Sequence, residues 1–482
     1  MQVVRYEDRR VRVLKHIGSG RTEEELIVLE ERGRQWYRLT SGQDSIFAAP
    51  PTGQLTVEGT TFLGAWRTLA HDTLKAVAGR CGLEALGDPL LVDLAIMRLV
   101  EPGSKIRALA LIEEHFGIRY APRTLYRGLA SMVLHKQAVE HMAVSYARGK
   151  LGDTLALVLY DVTTLYFETF KADELRVPGF SKDNMSQQPQ IVVGLLVTRE
   201  GFPLGYEVFP GNTFEGKTML PMLEAFVAAH GVSMPTVVAD AAMLSCTLLE
   251  QITGKGMSYI VGARLGNSSP KLTKAISAAL DQRDGAVVRV PSPHGDMVCS
   301  FSAKRYGKDK RTLEQQVAKA HILVGKGEPG KRSKFVKRAA AKDHYVFDDQ
   351  LLSKATSLLG IKGYCTNIPR TELSDDQVIA RYHDLWQVEK AFRMAKSDLA
   401  ARPIYHRTQM AIRSHILICF VAMFMGRAME LATATPLRRI IHALWSVSDA
   451  RLFHQLSPTE DRLRSPVPPS TLALLKKLDV SY

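Results

Sequence analysis

Cysteine and tryptophan are scarce in this 482-residue sequence, at five and four residues. The cysteines (Cys81, Cys246, Cys299, Cys365, Cys419) are scattered, with no C-x-x-C pair and no histidine at zinc-ligand spacing. That excludes a structural zinc site and a disulfide framework, and it leaves Cys246 as a packing residue. Long apolar runs are also missing. The most apolar segment, residues 416–425 (ILICFVAMFM), falls short of the roughly 20 residues a bilayer requires and reads as a buried helix. Met1 leads into the charged stretch VVRYEDRRVRVLKH, so no secretory signal and no membrane partner are expected, and the expected location is the cytoplasm. Gly18-Ser19-Gly20 has neither the framing strand nor the Gly-Lys-Ser/Thr continuation of a phosphate loop.

Cations, by contrast, are in excess. Lys and Arg number 63 against 49 Asp and Glu, a formal +14, in a chain whose 46% apolar content suffices for a large core. Polyanions are therefore the first partners to consider. The excess is uneven: residues 304–343 hold thirteen Lys or Arg against four Asp or Glu, about +9 of the total. Lys331, Arg332, Lys334, Lys337 and Arg338 are densest there, with Phe301, Tyr306, Phe335 and Tyr345 interleaved. A solvated basic loop and a DNA-binding surface both fit this pattern, and the aromatics favour the second.

Periodicity divides the chain. Residues 1–60 mix β-like alternation with a helix from about 22 to 34 and read as a small α+β module. Residues 61–150 carry helical spacing, broken at Gly87-Asp88-Pro89, Glu101-Pro102-Gly103 and Gly117. Within them 104–133 reads helix, short turn, helix. This is either a DNA reader presenting Arg123 and Arg127, or a plain bundle with solvated arginines. At about 155 the period changes. LALVLY ends on Asp161, IVVGLLVT and LGYEVF form a hairpin, a helix follows over 219–230, and PTVVAD ends on Asp240. That order predicts a mixed α/β sheet over 151–430. An insertion of short β-like pieces is expected at about 265–358, and a helical tail over 431–482. A long helix opens at Ser374, with Gln377 as capping-box partner, and places Tyr382, Trp386, Glu389, Arg393 and Lys396 on one stripe.

Asp161, Asp240 and Glu389 form a pattern with chemical meaning. Phosphodiester transfer needs charge neutralised on the attacking oxygen, the leaving oxygen and the phosphorus, and a pair of Mg²⁺ ions held by rigid carboxylates supplies it. Two strand-end aspartates and a helical glutamate packed on the same sheet would hold such ions. Taken singly, each has an ordinary structural explanation as a turn or cap residue or a solvated charge. His383 and His406 flank the glutamate and are read as non-ligands.

The segment 382–396, YHDLWQVEKAFRMAK, resembles the Y-R-E-K signature of bacterial insertion-sequence transposases, with Tyr382, Glu389 and Lys396 in register. The Arg position holds Leu385, and Arg381 and Arg393 are the neighbouring cations. Residues 402–406 and the loop 210–218, with Lys217, are similar to the family's corresponding segments, and the likeness runs from about 90 to 430. It implies an RNase H-like catalytic domain with a β-rich insertion and catalysis by Asp161, Asp240 and Glu389 on Mg²⁺, with Mn²⁺ as a substitute. It also implies cleavage and joining at terminal inverted repeats. DNA contacts would come from Tyr382, Arg393, Lys396, Lys217, the 123–127 helix and the basic insertion. Double-stranded transposon ends and target, a homodimer or larger synaptic complex, and a nucleoid-associated location follow from the same likeness. The family's insertion can carry a Trp that receives a flipped base; here all four tryptophans (Trp36, Trp66, Trp386, Trp445) lie outside it. The rival expectations are a structure-specific nuclease on the same scaffold and a catalytically silent DNA-binding derivative.

Overall fold

The computed structural model describes residues 1–7, 10–41, 60–153, 155–181, 187–232, 235–241, 245–326, 333–338, 345–454 and 459–480. They fall into two compact units. One comprises 1–76, 109–120 and 438–482, and the other 77–108 and 121–437.

In the first unit the hairpin Gln2–Glu7/Arg10–His16 is accompanied by the helix Glu23–Ser41. A three-stranded antiparallel sheet has Asp449–His454 between Thr60–Trp66 and Thr459–Arg464. Trp66 lies under two guanidinium groups, Arg451 at 3.9 Å and Arg462 at 4.8 Å from its ring centroid. The tail expected to be helical thus contributes two strands beside its helices Leu437–Trp445 and Pro469–Lys477. Their partner strand lies near residue 60, a separation that no local period can reveal.

The second unit is built on an eight-stranded sheet. Its strands in chain order are β1 (Leu157–Tyr166), β2 (Gln190–Val197), β3 (Pro203–Pro210), β4 (Thr236–Ala239), β5 (Ser258–Ala263), β6 (Val287–Ser292), β7 (Gly295–Phe301) and β8 (Ile361–Thr366). Across the sheet they run β3-β2-β1-β4-β5-β8-β7-β6. The β1–β4 and β4–β5 pairs are parallel and the others antiparallel. All eight residues of β2 are buried, which explains its unbroken apolar sequence: both faces are covered.

On one face Tyr160 donates a hydrogen bond to Thr218 at 2.8 Å, at the start of helix α1 (Met219–His230). Helices α2 (Ala303–Lys326) and α3 (Asp349–Ser357) precede β8. The opposite face carries α4 (Asp375–His383), α5 (Trp386–Arg393) and α6 (Gln409–Thr433). The helix Pro89–Val100 opens on proline, with Asp88 accepting a hydrogen bond from Leu91 N at 3.0 Å, and packs against α6. α6 is long and apolar enough to cross a membrane, yet most of its residues are buried within this unit.

Three further expectations need correction. The strand containing LALVLY does not stop at Asp161 but continues to Tyr166, because Val162, Thr163, Thr164 and Leu165 are all covered. The long helix expected from Ser374 keeps its capping box but breaks at Asp384-Leu385 and again after Arg393, where Met394–Asp398 forms a π-helical turn. Within 265–358, β6 and β7 extend the main sheet, and the segment AHILVGKG, read as β-like, lies largely in the 24-residue helix α2. Its Ile322-Leu323-Val324 run, followed by glycine, has the look of a short strand.

Candidate active site

The strand registers assemble a row of residues across one face of the sheet. β1 pairs Leu159 with Val238, so continuing that parallel register by two residues sets Asp161 beside Asp240. β4 pairs Ala239 with Val261, and one further step sets Asp240 beside Gly262. Gly262 pairs with Tyr364, Tyr364 with Val298, and Val298 with Arg289. Residues in register share a face, and neighbouring strands lie about 5 Å apart. Two carboxylates from adjacent parallel strands therefore stand side by side.

Tyr382, on α4, spans this row. Its hydroxyl donates to Asp240 Oδ1 at 3.1 Å, and its ring meets Tyr364 edge-on at 4.9 Å. A Cβ at position 262 would come within 2.4 Å of the Tyr382 hydroxyl, so the approach requires glycine there. Ala241 N also donates to Asp240 Oδ1, at 2.7 Å, which fixes the carboxylate's rotation. Burial, and then the Asp240 charge, push the Tyr382 phenol well above its usual range, so it stays a donor.

Lys362 lies two residues before Tyr364 on β8, and therefore on the same face. Its ammonium sits 5.3 Å from the Tyr364 ring centroid and 4.7 Å from that of Tyr382. Burial depresses its pKa and Arg305 adds to this, while Asp240 and Glu389 oppose both. Glu389 is exposed on α5, whose Val388, Ala391 and Phe392 are buried and which packs on β1 and β2. Asp240 and Glu389 thus act on the same lysine and the same tyrosine. Among the described residues, no three of His, Cys, Asp or Glu are close enough to hold a metal ion between them. The extended register points Asp161 towards Asp240, and Lys362 and Tyr382 feel Asp240 and Glu389 together, short of a closed triad.

The helices bearing Tyr382 and Glu389 are pinned at several points. Arg289, the buried end of the row, pairs through Nε with Asp375 at 2.8 Å and donates to the carbonyls of Ile368 and Leu373 at 3.3 and 3.2 Å. Asp384, at the break between α4 and α5, is held by Arg199 of the β2–β3 turn at 2.7 Å. That turn is held in its own place by Arg427 of α6, which donates to Gly201 O at 3.1 Å; Gly201 sits at φ +78°, where a side chain would be strained.

The other expected contacts are dispersed. Tyr382, expected at the DNA, is buried on Asp240 instead. Lys396 leaves the α5 stripe on the π-helical turn and lines a small apolar cavity with Thr163 and Leu165, whereas Arg393 is exposed. Lys217 is exposed at the end of a short 3-10 turn after β3. Arg123 and Arg127 occupy the exposed side of the helix Pro122–Ser131, opposite the buried Leu125 and Leu129. Lys334, Lys337 and Arg338 are exposed, with Lys337 pairing with Asp348 at 3.3 Å; Lys331 and Arg332 lie outside the described residues. Sequence reasoning missed Lys362, Tyr364, Gly262 and Arg289. The Lys-x-Tyr alternation before the glutamate motif and the lone arginine inside AVVRVPS were the available signals.

A mixed sheet with paired aspartates on adjacent parallel strands and a glutamate-bearing helix across them is the RNase H-like arrangement. Residues 156–425, more than half of the chain, match the model of the transposase DDE domain, and the chain belongs to that family. It is accordingly a DNA transposase by family, in a class whose members are metal-dependent polynucleotidyl transferases. No curated protein matches it. Among solved structures, the cryo-EM structure of a piggyBac transposase synaptic complex with hairpin DNA is similar at 10% identity and a TM-score of 0.38, over 85% of this chain and 75% of that one.

Proposed function

We propose that this transposase cuts and joins DNA at the terminal inverted repeats of its own insertion sequence, as a member of the bacterial Y-R-E-K class. Asp161, Asp240 and Glu389 would hold Mg²⁺, or Mn²⁺ in its place. The observation that carries this reading is the parallel register Leu159–Val238, which points Asp161 and Asp240 to one place two residues on, with Asp240 tied by Tyr382 to the helices that lead to Glu389. Two hard oxygen donors from rigid adjacent strands suit a hard divalent cation, which when bound neutralises charge on the reacting phosphodiester.

The chain's own residues do the rest. Among the described residues both hydrogen bonds on Asp240 fall on Oδ1, and an incoming cation would take Oδ2. Lys362 holds positive charge beside the carboxylates, where it stabilises them and faces the substrate phosphate. Lys217, Arg393, Lys396 and the basic segment 304–343 hold the DNA backbone, and Arg123 and Arg127 contribute to end recognition. The working form is a homodimer or larger assembly on double-stranded DNA, in the cytoplasm and associated with the nucleoid.

A strand-transfer assay tests the reading. Given the DNA flanking its gene as a pre-cut inverted-repeat end, with Mg²⁺ and a plasmid target, the protein should join the end to the plasmid. Nicking without joining would indicate a structure-specific nuclease, and DNA binding without metal-dependent nicking a silent derivative.

A further inference from the structure

An open cleft of about 710 Å³ lies beside the carboxylate row, between α2, α3 and β8. Arg264, Arg305, Lys334, Lys354 and Lys362 line it, with Asp309 as their acidic counterpart. Two of the five cations are hydrogen-bonded or ion-paired in the walls, while Lys334 lies 5.4 Å from the Phe335 ring centroid and Lys362 over the two tyrosines. Lys354 donates to Gly266 O and Ser268 O at 2.8 and 2.5 Å, and Arg305 pairs through Nε with Asp309 at 3.3 Å. Arg264 and Lys334 are exposed. Lys362 is common to the cleft and to the cluster around Asp240 and Tyr382. Apolar wall is supplied by Leu313 and Leu351.

We propose that this cleft is a binding site for a single nucleic-acid strand, whose phosphates lie on Arg264, Arg305 and Lys334 and whose backbone passes Lys362 to reach the carboxylates. Cations gathered around one concave opening repel one another, as Arg305 acts against Lys362, and an anion relieves that repulsion. The volume falls in the range of roughly 300–1,000 Å³ that suits small ligands, so a short stretch of one strand fits and a duplex does not. Leu313 and Leu351 offer apolar surface to bases of any identity, so binding should be tolerant of sequence. The ligand class rests on the proposed DNA-joining reading; the location rests on the cleft itself.

The test is binding of a dT12 oligonucleotide, a 12-base-pair duplex and dTTP in EDTA, as a function of salt, to the full chain and to its Arg264→Ala/Lys334→Ala variant. The slope of log affinity against log salt for dT12 should flatten by roughly 0.7 for each phosphate contact removed. Affinity for dT12 should fall at least fivefold, duplex affinity should fall by a clearly smaller factor because Lys334 also belongs to the basic segment that holds duplex, and dTTP should bind far more weakly than dT12. As a second readout, a photo-crosslinking residue at Gln316, on the α2 wall, should capture dT12 in the otherwise unaltered protein. Unchanged dT12 binding, an equal loss on duplex, dTTP binding as tight as dT12, or no crosslink at Gln316 would each overturn the proposal. Plasmid nicking is measured separately with Mg²⁺, so failure of the cleft alone appears as unaltered dT12 binding in the variant with nicking intact. Failure of the catalytic reading would instead appear as absent nicking with dT12 binding preserved.

Discussion

The Tyr382 hydroxyl donates a hydrogen bond to Asp240 Oδ1 at 3.1 Å, joining a helix to the end of a strand 142 residues earlier in the chain. This bond orients one carboxylate of the pair and fixes the helix that leads to Glu389. Tyr382→Phe keeps the ring stack on Tyr364 and removes only the donor. A hydrogen bond to a charged acceptor contributes about 1.5–3 kcal/mol, so Mg²⁺-dependent nicking should fall roughly tenfold or more while the thermal midpoint moves little. Gly262→Ala should be at least as harmful, because its methyl would displace that hydroxyl. Parental nicking rates in both variants would contradict the positioning role.

Arg289 is the anchor at the other end of the row. Its side chain is 6% exposed and pairs with Asp375, whereas Arg370, the second partner of Asp375, is 73% exposed. Removing one partner of a buried pair costs about 3–5 kcal/mol, and an exposed pair contributes under about 1 kcal/mol. Denaturant unfolding should therefore show a large loss for Arg289→Ala and a small one for Arg370→Ala. Arg289→Lys should fall between them, since lysine keeps the charge but not the fork that reaches two carbonyls. Equal effects for Arg289→Ala and Arg370→Ala would refute this assignment.

Acid should destabilise the second unit. His406 is pushed down to about 4 by burial and then by Lys105 and Arg98, His230 to about 4 by burial and His141, and His415 well below its usual value by burial and Lys105. His415 Nε2 donates to Ala401 O at 3.0 Å, which leaves Nδ1 as the acceptor for Lys105 Nζ. Unfolded imidazoles take up protons near pH 6.5 and these folded ones only near 4 or below, so between those values the unfolded chain binds more protons. Stability is full above pH 6.5 and declines as pH falls towards 4. Urea unfolding from pH 7.5 to 4.5 should trace that decline, and His406→Gln should shallow it; a flat profile would argue against it.

Much of this architecture could be read from the chain, because its signals are local. The hairpin of β2 and β3, the strand leading to Asp240 and the capping box at Ser374 and Gln377 each announce themselves within a dozen residues. Asp161 and Asp240 were likewise legible as acids at apolar strands. Their adjacency was not, since it depends on the β1–β4 register between segments about eighty residues apart. Lys362 and Arg289 were hidden for a related reason: a charged residue inside a strand has meaning only once its cross-sheet neighbours are known. The break at Asp384-Leu385 was invisible because both residues keep helical backbone angles, and the ion pair with Arg199 that marks it comes from a distant turn.

Glu389→Gln retains size and removes charge. Its DNA complex should form with affinity within about threefold of the parent, whereas Mg²⁺-dependent nicking should fall by two orders of magnitude or more for want of a ligand. Gel-shift and plasmid-nicking assays on the same preparation check both halves. A variant that nicks at the parental rate would make Glu389 an ordinary surface charge.

If Asp161, Asp240 and Glu389 share one metal site, iron bound there will cleave the backbone beside all three. With Fe²⁺ in place of Mg²⁺, on protein assembled with DNA, ascorbate and peroxide should cut the chain close to residues 161, 240 and 389. All three cuts should disappear together in Asp161→Asn or on competition with excess Mg²⁺. Cuts near 161 and 240 without one near 389, or cuts that persist in Asp161→Asn, would contradict a shared site.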